Sequence, residues 1–423
     1  MNIDLQRKID RIAGSLLCAL FSLVPGRWRQ ERSGDIPSKI LVILLSEMGS
    51  LLLAIPMFEY IRNRYPKASL YVLLFERNRE FLEILDVVPR ENILTVSGDS
   101  LGGLLKSSLK AIKRMRKEKI DTVLDCELFA RISSIFSYLS GAKIRVGFHP
   151  HTQEGLFRGN FINRPVLYNP YHHISRQFLA LAKAIESRDR PMVKESIGNG
   201  RDWRPPVLNL EPTEINRFRE RLEHDFPCVQ EGNLVLLYPS GGLLPIRAWP
   251  LENFCIVAEE LIQRGHRVGI IGMEADRKIA EKIVSHCKGG NCVNLAGYTR
   301  TLRELMILFH LASLLITNDG GPGHFASMTP VPAIILYGPE TPVLYGSLDP
   351  KAVNLYVPMS CSPCLTAYNH RNSPCDGNNL CLKCIDPGMV LEMAYKILAG
   401  REGSDDHKSG DGMALGQISQ EGI

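Results

Sequence analysis

Residues 314–339, LLITNDGGPGHFASMTPVPAIILYGP, place a carboxylate, a glycine-rich turn and a histidine between two apolar runs. The first run, Leu314 to Thr317, suits a buried strand, and the stretch from Pro322 reads as the start of a helix. In a strand–turn–helix unit the N–H groups of the first helical turn have no intrahelical acceptor, and such a turn attracts a diphosphate. Gly320 and Gly321 let the backbone turn tightly, and Gly323 and His324 open the helix. Asp319 repels phosphate, so its chemistry better suits the hydroxyl groups of a sugar. The same residues also fit a plain connection in which His324 is a satisfied polar side chain.

Two further strand ends carry similar chemistry. In YPSGGLLPIRAWPLENF (238–254), Ser240-Gly241-Gly242 forms a flexible loop and Arg247 supplies a permanent cation before the next helix. A guanidinium there can stabilise a departing diphosphate, or it can be an ordinary surface arginine on a turn. In IIGMEADRK (270–278), Glu274 or Asp276 can hold a ribose hydroxyl or cap the helix that follows. Three such sites in one half of the chain favour a nucleotide-sugar ligand. No GxGxxG opens either half and no Walker A lysine motif is present, which argues against a dinucleotide dehydrogenase and a P-loop NTPase.

These strand ends need a repeating scaffold. At 423 residues the chain exceeds one ordinary core, so two domains are expected. KILVILL (39–45), SLYVLLF (69–75), NILTV (92–96), TVLDC (122–126) and IRVGF (144–148) read as strands, with LKAIKRMRKEKI (109–120) a basic helix. A second series runs from NLVLLYPSGG (233–242) through HRVGIIGM (266–273), CVNLAG (292–297) and LLITND (314–319) to AIILYGP (333–339). Residues 185–231 between them are rich in proline, glycine and charge, and 188–206 is the most linker-like part. The expected class is α/β, with two Rossmann-like domains, 37–200 and 201–400, facing a central cleft. Open sheets of this kind bind ligands beyond the carboxyl ends of their strands.

The ends of the chain differ from this pattern. Within residues 1–36, Ile12 to Val24 is apolar, behind Arg7, Lys8 and Arg11 and ahead of Arg27, Trp28 and Arg29. At about 13 residues it is shorter than the roughly 20 needed to span a bilayer. Basic flanks and a tryptophan fit an amphipathic segment at a membrane surface, and packing on the protein's own core is the alternative. Residues 401–423 carry few large apolar side chains and are expected to be disordered. A formal charge of +5 over this length gives no sign of a nucleic-acid partner. Lys106 to Lys119 holds seven cations, either a solvated helix face or a contact for lipid headgroups or acceptor phosphates.

Most of the eleven cysteines are scattered, which argues against a secreted disulfide scaffold and places the chain in the cytoplasm, at the inner membrane face. Five are clustered: Cys361-x2-Cys364, Cys375 and Cys381-x2-Cys384. Paired CxxC steps suit a structural zinc site of four thiolates, and a plain reduced loop, 361–384, is the other reading.

TNDGGPGHFASMTPVPAIILYGPETP, KILVILLSEMGSLLLAIPMFEYIRNRYPKASLYVLL and RAWPLENF together resemble the ADP-heptose:lipopolysaccharide heptosyltransferases, glycosyltransferase family 9. The likeness spans roughly residues 37 to 400. It implies a GT-B fold, inverting sugar transfer to a lipid-linked glycan acceptor, and no cofactor or metal needed for catalysis. It also implies that Asp319 holds the donor sugar, that Gly320, Gly321 and His324 form the diphosphate turn, and that Asp276 holds the ribose. Arg247 falls where the family commonly has a phosphate-binding lysine. One departure stands out. Where the family has Gly-Asp, with the aspartate as catalytic base, this chain has Gly49-Ser50. A serine is a poor base near neutral pH, so Glu47 is the expected replacement. A non-catalytic nucleotide-sugar or glycan-binding protein is the competing expectation.

Overall fold

Strands that are near-continuous runs of Val, Ile and Leu must be covered on both faces, which directs the chain to parallel sheets flanked by helices. The computed structural model describes residues 3–23, 36–45, 48–128, 130–148, 157–189, 191–194, 203–230, 232–366 and 372–405. In it β1 (Lys39–Ile43), β2 (Ser69–Phe75), β3 (Ile93–Val96), β4 (Thr122–Asp125), β5 (Ile144–Phe148) and β6 (Arg164–Val166) form one parallel sheet. The order is β3-β2-β1-β4-β5-β6, with Leu41 in register with Tyr71 on one side and Val123 on the other. The second sheet holds β7 (Leu234–Tyr238), β8 (Arg267–Gly272), β9 (Cys292–Ala296), β10 (Leu314–Asn318), β11 (Ala333–Tyr337) and β12 (Ala352–Tyr356), ordered β12-β11-β10-β7-β8-β9. Counted from its own first strand, each sheet reads 3-2-1-4-5-6, the Rossmann order. The chain is therefore α/β with two Rossmann-like sheets.

Two compact units result. One comprises Met1–Leu208, Pro339–Gly346 and Met359–Asp376, the other Asn209–Gly338, Ser347–Pro358 and Gly377–Ile423. The strand order reverses between β1 and β4 in the first and between β7 and β10 in the second, and these are the points where such sheets bind ligands.

Some elements went unforeseen. β6 is three residues long and carries a proline, and β12 is only partly buried. Within the expected linker lies a helix, Pro212–Asp225, that buries Ile215, Phe218 and Leu222. Glu211 and Glu214 close a reciprocal capping box at its start. The last helix, Pro387–Asp405, extends five residues into the expected tail, and 406–423 lie outside the described residues.

At the amino end, Ile3–Ile9, a π-turn at Asp10–Gly14 and Ser15–Ser22 follow one another as a helical segment. One face packs on the helix Arg131–Ser140: Cys18 is fully buried, and Phe21 stacks on Tyr138 with centroids 5.0 Å apart. Asp10 accepts the backbone N–H groups of Arg131 and Ile132 at 3.0 and 2.9 Å, satisfying donors at that helix start. Residues 24–35, with Arg27, Trp28 and Arg29, lie outside the described residues. Among the described residues no helix is long and apolar enough to cross a membrane.

Candidate active site

The second sheet's reversal point is built around a buried asparagine. Asn318 closes β10 and is fully buried. Its Nδ2 donates to the carbonyls of Pro239 and Ser240 at 3.0 and 3.2 Å, and its Oδ1 accepts from Trp249 N–H at 3.0 Å. One side chain thus fixes both ends of the loop that follows β7. Trp249 anchors the same loop from below, its indole donating to the Ile385 carbonyl at 3.0 Å. Sequence reading passed over Asn318 because its neighbour carried the charge; a polar side chain ending an all-apolar strand was the available signal.

Between those anchors the loop is tightly wound. A Cβ on Gly241 would lie 2.7 Å from the Leu244 carbonyl oxygen, so the backbone crosses itself where only glycine fits. Ser240 is buried and its Oγ accepts Gly242 N–H at 3.1 Å. The 3-10 turn Pro245–Arg247 then presents Arg247 to Asp319, with Nε 3.5 Å from Oδ2 and side-chain exposures of 13% and 7%.

Asp319 itself is held by its backbone, whose N–H donates to Leu336 of β11 at 3.0 Å. Gly320 is extended (φ 169°), so the glycine turn involves no left-handed backbone there. Gly323 allows the short helix Gly321–Ala326 to seat on β11, since a Cβ would come within 2.8 Å of Ile335 Cδ1. His324 follows, buried, and burial is the main cause that holds its pKa below the ordinary 6.5. The Asp319 carboxylate opposes that shift and the Arg247 cation adds to it. Asp319 Oδ2 and His324 Nδ1 are both buried without a hydrogen-bond partner.

Ser240, Arg247, Asp319 and His324 are therefore placed at one reversal point. At the end of β8, Asp276 Oδ2 accepts Met273 N–H at 2.8 Å and Glu274 pairs with Arg277 at 2.8 Å, so both acids have local structural partners.

The cysteine segment departs from one of its two expected forms. Among the described residues no group of three or more His, Cys, Asp or Glu side chains is gathered to hold a metal ion. Cys381 is turned into the core, where a Cβ on Gly338 would meet its Sγ at 3.1 Å. Cys364 Sγ lies 3.1 Å from Ser373 Oγ, and Cys361, Cys375 and Cys384 are exposed. A zinc site assembled from these five thiols is not what the geometry shows.

Glu47 lies outside the described residues. Ser50 sits in the helix Met48–Leu53. Sequence reading missed a second carboxylate near the first sheet's reversal point: Glu127, after β4, whose Oε1 accepts Leu45 N–H at 2.6 Å. Beneath it, fully buried Asp125 pairs with Arg158. Burial raises the Asp125 pKa, and Arg158 opposes that rise. His173 caps the helix Ile174–Lys183, accepting Ser175 N–H through Nδ1 at 3.3 Å.

The family model for glycosyltransferase family 9 (heptosyltransferase) matches residues 108–373, well over half the chain. The chain belongs to this family. The matched span contains Arg247, Asp319 and His324 and begins after Glu47 and Ser50. Family 9 membership makes the protein a glycosyltransferase and disfavours the reading as a non-catalytic binding protein. Among curated relatives, lipopolysaccharide heptosyltransferase 2 of Salmonella typhimurium is 22% identical over 85% of this chain and 99% of its own. Lipooligosaccharide heptosyltransferase 2 of Haemophilus ducreyi is 23% identical over 74% of this chain and 87% of its own. Among solved structures, the Escherichia coli ADP-heptose lipopolysaccharide heptosyltransferase II superposes with a TM-score of 0.64. That match has 21% identity and covers 86% of this chain and 99% of the other, so the fold is GT-B.

Proposed function

We propose that the protein is an inverting heptosyltransferase that moves a heptose-like sugar from an ADP-sugar to the core of a lipopolysaccharide, or to a related lipid-linked glycan, at the cytoplasmic membrane face. The observation that carries this reading is the Arg247–Asp319 pair, with His324, at the reversal point of the second sheet. The acceptor hydroxyl oxygen forms a bond to the anomeric carbon as the bond from that carbon to the diphosphate oxygen breaks. The acceptor proton passes to a carboxylate, and the nucleoside diphosphate departs with the bonding electron pair. Asp319 accepts hydrogen bonds from the sugar, and Arg247, with the N–H groups of Gly321 and Gly323, meets the charge that grows on the diphosphate. Ser240 borders the same pocket, and Asp276 is the ribose ligand. As the family resemblance implies, the route uses no metal or other cofactor, and Arg247 is the cation at the diphosphate.

Glu47 is the proposed base. Glu127 is the alternative, favoured by its hydrogen bond to Leu45, the last described residue before the 46–47 loop. The test is turnover of ADP-heptose with heptose-deficient lipopolysaccharide, read as glycolipid mass. A gain of one heptose supports the reading. No product from any ADP-sugar, with ADP still bound tightly, would overturn it.

A further inference from the structure

A helix lying on a protein surface ordinarily turns its apolar stripe inward and its polar side to water. The amino-terminal helical segment is apolar on both sides. Gly14 and Cys18 face inward, against the helix Arg131–Ser140. On the opposite side Leu5, Ile12, Leu16 and Leu23 form a ridge exposed by 45%, 73%, 62% and 77%. At 100° per residue along Ser15–Ser22, Leu16 and Leu23 lie within about 20° of the direction opposite Gly14.

A second helix on the same layer repeats the feature. Leu101–Glu118 also packs on Arg131–Ser140 and buries Ala111 and Met115. It leaves Leu101, Leu105 and Leu109 exposed, one turn apart. The two segments are tied together where Gln6 Nε2 donates to the Gly98 carbonyl at 3.0 Å, just ahead of the second helix. Two exposed leucine ridges thus lie on segments of the first unit that are joined to each other and share one neighbouring helix.

Charge identifies what covers them. Residues 3–23 and 101–119 carry ten Lys and Arg against three acids, Asp4, Asp10 and Glu118. Asp10 is engaged with the start of Arg131–Ser140, and Glu118 with Lys39 and Arg114. Lys106, Lys110, Lys113 and Lys117 remain exposed along the second helix, beside its leucines. Apolar ridges rimmed by cations complement an anionic surface with an apolar interior.

We infer that this face, built from residues 3–23 and 101–118, is a docking surface for an anionic phospholipid bilayer, with both leucine ridges entering the acyl boundary and the lysines meeting headgroup phosphates. The inference does not rest on the proposed reaction, and its test needs no turnover. Full-length protein is floated with phosphatidylcholine vesicles with and without 30% phosphatidylglycerol (an assay composition of about that fraction suffices). Binding to the anionic vesicles only, weakening with salt, is expected. Ile12→Gln/Leu16→Gln and Leu105→Gln/Leu109→Gln each alter only exposed side chains, so folding should survive, as circular dichroism and ADP binding will report. Each pair should lower vesicle partition about tenfold or more, and Lys106→Glu/Lys110→Glu should abolish the preference for anionic lipid. Wild-type protein that ignores anionic vesicles at low salt overturns the inference. So do glutamine variants that bind as well as wild type. A concentration-dependent dimer in sedimentation, lost in Ile12→Gln/Leu16→Gln without any vesicle binding, would assign the face to a second copy instead.

Discussion

Replacing Arg247 with alanine tests the proposed donor site most directly. The guanidinium sits 3.5 Å from Asp319 with little exposure, so its charge acts in a poorly screened position. Losing one charge-assisted hydrogen bond to a phosphate removes about 1.5–3 kcal/mol. That corresponds to a loss of about ten- to 150-fold in affinity for ADP. The upper half of the range is expected, because Arg247→Ala also leaves the Asp319 carboxylate uncompensated beside an incoming anion. Calorimetric titration with ADP gives the affinity, and kcat/KM for transfer should fall at least as far, since charge on the diphosphate grows in the transition state.

Two further variants separate direct contact from indirect effects. Arg247→Lys keeps the charge but loses the planar fork, and should recover part of the affinity. In Arg247→Ala/Asp319→Asn the repulsive carboxylate is gone as well. If the arginine only neutralises Asp319, that double variant binds ADP like wild type. If it touches the phosphate, binding stays about tenfold weak or worse. ADP affinity within twofold of wild type in Arg247→Ala would remove the residue from the site.

Four other outcomes follow from named contacts. Asn318→Ala leaves two carbonyls and one N–H unmatched in the interior, so urea unfolding should show a loss of about 2–4 kcal/mol, with weaker ADP binding. Arg158→Met strands the buried Asp125 carboxylate and should cost about 3–5 kcal/mol by the same assay. His324 binds its proton less readily folded than unfolded, so stability should fall as pH drops below 6.5 towards its lowered folded pKa, and His324→Gln should flatten that limb of a melting-temperature profile. Glu47→Gln should cut transfer by about 10²–10⁴ with ADP affinity kept; if Glu127→Gln does so instead, the base lies after β4.

The strands that position the site were legible because parallel sheets demand runs apolar on both faces. SLYVLLF and IRVGF were placed at their observed limits, Ser69–Phe75 and Ile144–Phe148. β6 and β12 escaped because an edge strand needs little apolar surface, as the arginine and proline of Arg164–Val166 illustrate. The helix Pro212–Asp225 was hidden by composition: only Ile215, Phe218 and Leu222 face inward, among charged neighbours that average into a linker. At the site, charged residues were visible and the neutral scaffold was not. Asn318 holds the loop by three hydrogen bonds, a role that depends on strands β7 and β10 being adjacent, although 79 positions separate it from Pro239. For the cysteines, spacing left a zinc site and a plain loop both open, and it could not reveal that Cys381 turns inward.

Both sheets place an arginine–aspartate pair near the same topological position, and the partners of each pair show why only one suits a ligand. Arg158 gives Nε to the Ala130 carbonyl at 3.1 Å, Nη1 to the Glu127 carbonyl at 2.6 Å and Nη2 to Ser133 Oγ at 2.8 Å, besides Asp125. Asp125 Oδ1 in turn accepts Glu127 N–H at 3.2 Å. A buried pair satisfied from all sides holds a loop and has nothing left to offer. In the second sheet Asp319 Oδ2 and His324 Nδ1 are buried with no hydrogen bond, a state that costs about 1–3 kcal/mol for each group. Folding alone gives no reason to retain two such groups 3.5 Å from, or electrostatically coupled to, one guanidinium. Under the proposed function, a bound molecule bringing hydroxyl donors and phosphate oxygens to the same place would supply the missing partners, and the groups that weaken the empty fold would be those that recognise the donor.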